Sequence, residues 1–450
     1  MKPQDTMESH EYYPEKTPKN LSPLAESVSD PFSTQSEDGN DANLPPVDRG
    51  FHAWMFLISA FIIEGIVWGY SSSYGVFQNY YETHEPFQTS GNIAVVGTCA
   101  TGLPYLLTPI VIALVILFPR VQCYFSTVGH IIMCVALAAA SFSKDTTHLI
   151  LSQGVAFGIG GCLAFTPAIV FMNEWFVERK GFAFGVVWGG SGLTGIILPI
   201  VLQALLSQYG WQTTLRASSV GVFILGLPFL FFLKPRNPTR TSSLSSLNMK
   251  FQLNFVYIVY QLGNTIEAIG YFLPAIFMPS HARRMGHNGF LVSVPVVLFN
   301  LTTIIGCAIM GKMTDRYHVS NCILMSTVGA ITSIFLIWGL ATSLAPLYIF
   351  SIMYGLFAGG FSSTWSAVAR EINKNEPSAD TNMVIAFMET GRGIGFVLSG
   401  PLSGVLLKGD PWKGTVGGAY GSGYGPMITF TGFTALMGGL CVVARAFKMV

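Results

Sequence analysis

EWFVERKGFAFGVVWGGSGLTGIILP, residues 174–199, sets a short charged patch, Glu178-Arg179-Lys180, in front of an uncharged run rich in glycine. At about 100° per residue, Gly181, Gly185, Gly189, Gly192 and Gly195 fall within an arc of about one third of a helix's circumference. Glycine along one face of an apolar helix lets a second backbone approach closely. In lipid that packing takes the place of the hydrophobic force that assembles soluble bundles. The stretch therefore predicts a membrane helix seated against a neighbour. Trp188 falls on the same face, so the face is not uniformly small. Gly190-Ser191-Gly192-Leu193-Thr194-Gly195 formally matches the dinucleotide fingerprint G-x-G-x-x-G. That motif needs a preceding strand, a helix opening at the glycines and an acid about 20 positions later. Here the glycines lie inside an uncharged run, and the residues around Arg216 include no acid, which argues against a nucleotide site.

The bulk composition agrees with a membrane chain. Of 450 residues, 51% are hydrophobic and only 10% charged, whereas a soluble domain carries about 25% charged residues. Such a chain cannot cover a globular surface with polar groups. A net charge of +1 gives no reason to invoke nucleic acid as a partner. The seven cysteines show no C-x-x-C spacing and fall mostly in apolar runs. They are read as small buried hydrophobes, and neither a metal site nor a cofactor is expected. Residues 1–50 differ, with ten acids against four bases and no apolar run. They are predicted to form a disordered acidic cytoplasmic tail. The basic start and apolar core of a signal peptide are both missing.

About 20 apolar residues are needed to cross some 30 Å of hydrocarbon. Such runs occur near 53–77, 92–118, 122–141, 147–172, 181–206 and 212–233, and again near 252–279, 288–311, 320–341, 344–368, 383–407 and 425–447. The expected fold is an all-α polytopic membrane protein of twelve transmembrane helices in two six-helix bundles. The bundles would occupy 51–233 and 251–450, joined by a polar cytoplasmic linker at 234–250. With both termini placed inside, the inner segments carry fourteen Lys and Arg residues and the outer loops five. That bias predicts both termini in the cytoplasm.

Ionisable residues deep in such spans are costly and informative. Glu64 lies about 16 Å into the first span, and Glu267 at a comparable depth in the seventh. The local text is loosely alike, Glu64-Gly-Ile-Val-Trp-Gly-Tyr70 beside Glu267-Ala-Ile-Gly-Tyr271. Both carboxyls are proton-site candidates, against the alternative of structural, hydrogen-bonded acids. Arg392, about 14 Å into the eleventh span, keeps its charge and needs an anion. Glu389, one turn earlier on the same face, is the expected partner. Arg392 either neutralises Glu389 and fixes packing or meets a substrate carboxylate, so both are substrate-site candidates. Tyr70 and Tyr271 are candidates for the lining of a cavity that takes a partly apolar solute. Arg216, near the start of the sixth span, is expected to snorkel to the interface.

Several stretches carry a resemblance to the major facilitator superfamily, and within it to the fungal branch of the monocarboxylate porter family. Asp48-Arg49-Gly50-Phe51-His52-Ala53-Trp54 is similar to the family's D-G-G-x-x-A-W before the first span, and Tyr74-Gly75-Val76-Phe77-Gln78-Asn79-Tyr80-Tyr81 continues it. Residues 175–195 resemble the fifth-span signature. Gly311-Lys312-Met313-Thr314-Asp315-Arg316 resembles the superfamily's G-x-x-x-D-R loop, and Gly391-Arg392-Gly393-Ile394-Gly395 with Gly400-Pro401 fits the fungal pattern. Arg49 stands in place of the family's first glycine, and Cys307 where many relatives carry an arginine. Ser71-Ser72-Ser73 lacks the lysine of animal members.

The resemblance implies a carrier working by alternating access, often moving a proton with an organic acid, and includes exporters of specialised metabolites. Asp315, Arg316, Arg179 and Lys180 are then gating-loop candidates. The expected function is secondary transport of a small organic acid or related metabolite across the plasma membrane, with the lipid bilayer and protons as further partners. The alternative is a transporter-like nutrient sensor, for which the tail is short. An enzyme reading lacks both a His/Cys/Asp cluster at metal-ligand spacing and a G-x-S-x-G elbow.

Overall fold

A computed structural model of the chain describes residues 44–88, 92–237, 249–287, 290–410 and 412–447. The expected tail over 1–43 and the middle of the linker, 238–248, lie outside the described residues. Among those described, every regular element is a helix. The helical passages are α1 (Gly50–Thr83), α2 (Ile93–Leu117), α3 (Gln122–Ala140) and α4 (Thr146–Trp175). Next comes one helix of 51 residues, Lys180–Leu230. It bends at Gly210, where φ 72° and ψ 173° suit glycine, and its two limbs are α5 and α6. Then follow α7 (Phe255–Arg284), α8 (Phe290–Thr314), α9 (Val319–Trp338), α10 (Leu344–Asn375) and α11 (Thr381–Leu407). A bent pair, Gly425–Gly438 with Leu440–Ala446, forms α12.

Among the described residues, eight helices are long and apolar enough to cross a membrane, or nine with the bent pair counted as one. The Lys180–Leu230 helix supplies two passages. The 30-residue α7 and 27-residue α11 span about 40 Å or more, and their low hydropathy reflects the polar and ionisable side chains they carry. The twelve expected passages are therefore present.

Their packing repeats at an offset of six. In the first set α1 packs on α5, α2 on α4, and α3 on both α4 and α6. In the second, α7 packs on α11, α8 on α10, and α9 on both α10 and α12. Between the sets, α2 meets α11 and α5 meets α8, which are themselves counterparts. The two six-helix bundles thus face each other through equivalent helices.

The glycine face of α5 is what brings α8 close. A Cβ on Gly181 would lie 2.5 Å from the Gly311 carbonyl oxygen, and one on Gly185 2.3 Å from that of Cys307. Further along, Gly189 meets Ile304, and Gly192 and Gly195 meet Asn300. Trp188 turns into an aromatic cluster, with ring centroids 5.9 Å from Phe184, 5.8 Å from Phe165 and 5.3 Å from Trp365. On the other side of the helix, Gly190 abuts Phe61 and Gly65 of α1. On α11, by contrast, a Cβ on Gly400 or Gly404 would meet nothing within 4 Å.

One expectation needs correction. The tail does not run to residue 50, because Asp48 is buried and docked against the segment joining α4 to α5. Its carboxylate accepts from the Val177, Glu178 and Arg179 amides at 3.0–3.1 Å, and its own N–H donates to the Trp175 carbonyl at 2.9 Å. The linker's first residues are likewise tied down, Arg236 Nε donating to the Pro45 carbonyl at 2.8 Å. Arg216 lies over the Phe142 ring at 4.9 Å, and its Nε donates to Ser141 Oγ at 3.2 Å. Between α11 and α12, hydrogen bonds from Lys413 and Arg284 hold the partly exposed Asp410 carboxyl below the usual carboxylate range.

The contrast among glycines gives a test. Gly185→Val should cost about 1–3 kcal/mol by overpacking against the Cys307 backbone, while Gly400→Val should stay within about 0.5 kcal/mol of the parent. Heat-induced loss of the monodisperse peak of purified protein in detergent measures both. Equal midpoints for the two variants would contradict the close α5–α8 approach.

Candidate functional site

The interior of the second bundle is arranged around one cation. Arg392 on α11 is 2% exposed, and its Nη1 donates to Glu267 Oε2 on α7 at 3.0 Å. The guanidinium carbon lies 4.2 Å from the Tyr271 ring centroid, 5.6 Å from Phe272 and 5.9 Å from Trp365. Such aromatic faces attract a cation. Asn264, one turn before Glu267 on α7, anchors the surroundings. Its Nδ2 donates to the Met388 carbonyl at 2.7 Å, and its Oδ1 accepts from Trp365 Nε1 at 3.0 Å. The neighbouring Gln261 Nε2 donates to the Phe387 carbonyl at 2.7 Å. These bonds fix α7 against α11 and hold the Trp365 indole beside the pair.

The expected Arg392–Glu389 pair is not formed. Glu389 turns toward the first bundle, where its Oε2 accepts from Thr108 Oγ1 on α2 at 2.9 Å. Spacing of three residues places the two side chains near one another, but Glu267 reaches the guanidinium from across the bundle. Glu64 on α1 is 3% exposed. Its Oε2, the Glu389 Oε1 and the Trp68 indole nitrogen are buried without a hydrogen bond of normal geometry among the described residues, with Trp68 within electrostatic reach of the Glu64 carboxyl. An isolated buried carboxylate is costly, so each acid needs a proton, water or a counter-ion. Tyr105 on α2 links the groups. Its ring lies tilted against Trp68 with centroids 4.0 Å apart, and it is within electrostatic reach of Arg392, Glu64 and Glu389.

Of the two tyrosine candidates, only Tyr271 borders Arg392. The Tyr70 hydroxyl accepts from Gln153 Nε2 at 3.2 Å, and its ring lies 4.7 Å from Phe157. It is part of the α1–α4 packing. Tyr105, Thr108 and Asn264 are not among the site residues to which the sequence points. A polar residue one turn from a buried acid was the available signal for Asn264. Nothing local distinguishes Tyr105 from the many other aromatics.

A second cluster closes the bundles against each other at the end bearing residues 178–182 and 311–316, which we term the basic end. Asp315, just after α8, accepts from the Gly181 and Phe182 amides of α5 at 2.7 and 2.8 Å. These are unsatisfied N–H groups of a helix's first turn, where an anion is favoured. Arg370 of α10 adds an ion pair to Asp315 at 3.4 Å, and Asn173 donates to Asn382 between the bundles. Lys180 lies within electrostatic reach of Asp315, Asp48 and Arg370. Arg179 and Arg316 are exposed and make no ion pair among the described residues. Of the four gating-loop candidates, the structure thus brings Asp315 and Lys180 into the closure.

The model of the Major Facilitator Superfamily matches residues 53–255 and again 253–444. The chain belongs to this superfamily. The MFS transporter asaE of Aspergillus flavus is 28% identical over 91% of this chain and 89% of its own. The Agnestins efflux protein AgnL12 of Paecilomyces divaricatus is 26% identical over 93% of each chain. Monocarboxylate transporter 10 of Danio rerio is 25% identical over 91% of this chain and 81% of its own. In fold, the chain is similar to the human organic anion transporter MFSD10, with TM-score 0.63, 12% identity and coverage of 86% of this chain and 99% of that one. The superfamily member is therefore a multi-pass membrane transporter.

The closure predicts an accessibility change. Asp315→Ala removes two charge-assisted bonds at the α5 terminus and the ion pair to Arg370, whereas Arg316→Ala removes no ion pair or side-chain hydrogen bond among the described residues. Cys307 lies under α5, so its labelling by a membrane-permeant maleimide, read by peptide mass spectrometry, should rise by about tenfold or more in the first variant, from loss of at least about 1.4 kcal/mol. It should be unchanged in the second. Equal labelling in parent and Asp315→Ala would show that this carboxylate does not hold the end shut.

Proposed function

We propose that this superfamily member is a secondary transporter that moves an organic metabolite bearing a carboxylate next to an aromatic or apolar body, with a proton linked to its passage. The observation that carries this reading is the buried Arg392, held by one carboxylate and walled by Tyr271, Phe272 and Trp365. A guanidinium has five N–H donors suited to bidentate carboxylate binding, and the bond to Glu267 uses one of them. A substrate carboxylate can replace Glu267 at the guanidinium once Glu267 takes a proton, so anion and proton travel as a neutral pair. Glu64, facing the same interior from the first bundle, is the second proton-site candidate. The likeness to the Agnestins efflux protein favours outward movement, driven by the metabolite's own gradient. The likeness to Monocarboxylate transporter 10 supports a porter of that type. The bundles, 51–233 and 251–450, would rock about the interior site within the plasma membrane, both termini cytoplasmic, with Asp315 closing one end.

Trp365 supplies a readout that needs no knowledge of the natural solute. Phenylacetate should quench the tryptophan fluorescence of the purified protein saturably, and its uncharged amide should not. Arg392→Lys keeps the charge but loses the fork, and should weaken phenylacetate binding by about tenfold or more, the worth of one strong charge-assisted bond. Equal binding of acid and amide would refute the anion reading. In proteoliposomes, Glu64→Gln should flatten the pH dependence of phenylacetate flux. An unaltered profile would remove Glu64 from the mechanism.

A further inference from the structure

Within the second bundle, beside the Glu267–Arg392 pair, a narrow cleft opens between α7, α9, α10 and α12. Glu267, Tyr271, Ser326, Thr327, Tyr354 and Thr431 supply its polar lining, and it holds about 10 Å³ of free space. That is room for about one water molecule. Arg392 does not line it.

The hydroxyls around the cleft divide into two kinds. Ser326 Oγ donates to the Phe357 carbonyl at 2.8 Å, and the Tyr354 hydroxyl to the Tyr271 carbonyl at 3.2 Å. Thr327 and Thr431 are 6% and 1% exposed, and neither Oγ1 has a hydrogen-bond partner among the described residues. A helical threonine ordinarily bonds back to the preceding turn, and a buried hydroxyl left unpaired is destabilising. Two such groups bordering the same small space as a carboxyl make a polar site that needs a mobile partner. Water meets that need with two to four bonds. A metal cation is disfavoured, because the Arg392 guanidinium already compensates Glu267 at 3.0 Å and would repel a second positive charge.

We propose that this cleft holds a single water, positioned by Thr327 and Thr431, through which Glu267 exchanges its proton on the side away from substrate. The inference rests on the reading of Glu267 as a proton site. Protonation breaks one O–H bond of the protonated water and forms one on the Glu267 carboxylate, and nothing is oxidised. The ion pair with Arg392 then loses its negative member, and the guanidinium is released to an incoming anion. Arg392 on α11, Tyr271 on α7 and Tyr354 on α10 are the other titratable groups facing Glu267. From α9 and α12 the cleft receives only hydroxyls and alanines among the described residues. Thr327 and Thr431 are therefore positioning residues for proton exchange, separate from the face that meets substrate.

Infrared spectroscopy of the purified full-length protein, titrated in H₂O and D₂O, tests this without any substrate. Glu267→Gln should remove one titrating carboxyl C=O band. Thr327→Val/Thr431→Val should keep that band, raise its frequency through loss of a hydrogen bond, and slow its deuterium exchange by about five- to tenfold. Thr327→Ser/Thr431→Ser should restore both properties, and Thr431→Val alone serves if the double variant does not purify. A Glu267 band unaltered by the valine substitutions would overturn the water site and leave the proton role of Glu267 standing. Absence of any Glu267-dependent band would overturn that role itself. A band moved by sodium at constant pH and ionic strength would assign the cleft to a cation instead.

Discussion

Arg392 cannot shed its charge in a region that water does not freely reach, and much of the second bundle is shaped by that constraint. Glu267 comes from α7 to meet it, Tyr271, Phe272 and Trp365 turn their rings toward it, and Asn264 pins the last of these rings in place. Deleting one member of a buried pair costs about 3–5 kcal/mol, because the other is left uncompensated. Exchanging one carboxylate for another at the same guanidinium carries no such penalty. A pair that is rigidly required as a pair, yet indifferent to which carboxylate completes it, is well suited to a ligand site.

The first bundle contributes acid to the same interior and no buried arginine or lysine among the described residues. Glu64 and Glu389 lie within electrostatic reach of one another, each with an oxygen that makes no well-formed hydrogen bond among the described residues. Were these two and Glu267 all ionised, Arg392 would balance one of them. Uncompensated charge at that depth is worth several kcal/mol, so occupancy by protons or ligand is part of the energetics of the interior. The asymmetry also separates roles. The cation and its aromatic wall belong to α7, α10 and α11, while the interface with α1 and α2 is where unpaired carboxyls accumulate.

Periodic features were legible in the sequence and cross-helix ones were not. The glycine stripe of α5 follows from the helical repeat alone, and the structure places α8 against each of its members. The depths of Glu64, Glu267 and Arg392 follow from rise per residue. The partner of Arg392 does not, because Glu389 and Glu267 both satisfy charge balance and only the α7–α11 packing chooses between them. Tyr70 and Tyr271 occupy similar text after their acids, yet Gln153 in the π-helical stretch of α4 captures the first hydroxyl. The tail boundary failed for a related reason. Asp48 reads as one acid among many until three backbone amides of the α4–α5 connection converge on it.

The closure at the basic end obeys a different logic from the interior pair. Its anion, Asp315, is held by the first-turn amides of α5, with Arg370 partly exposed beside it. Backbone donors at a helix terminus bind an anion without any cation having to be desolvated in lipid. When such a contact opens, the amides and carboxylate pass to water at the membrane surface, where both are well solvated. Hydrogen bonds to charged groups contribute about 1.5–3 kcal/mol each, so the cluster is worth a few kcal/mol in all. Turning a two-state equilibrium from about 1:99 to about 99:1 takes about 5.5 kcal/mol of differential binding. In the proposed cycle, a latch of this strength would hold one end shut. It would also stay within reach of the free energy that a ligand at the proposed Arg392 site could supply, which the deep and mutually dependent Glu267–Arg392 pair, if it served as the latch, would not.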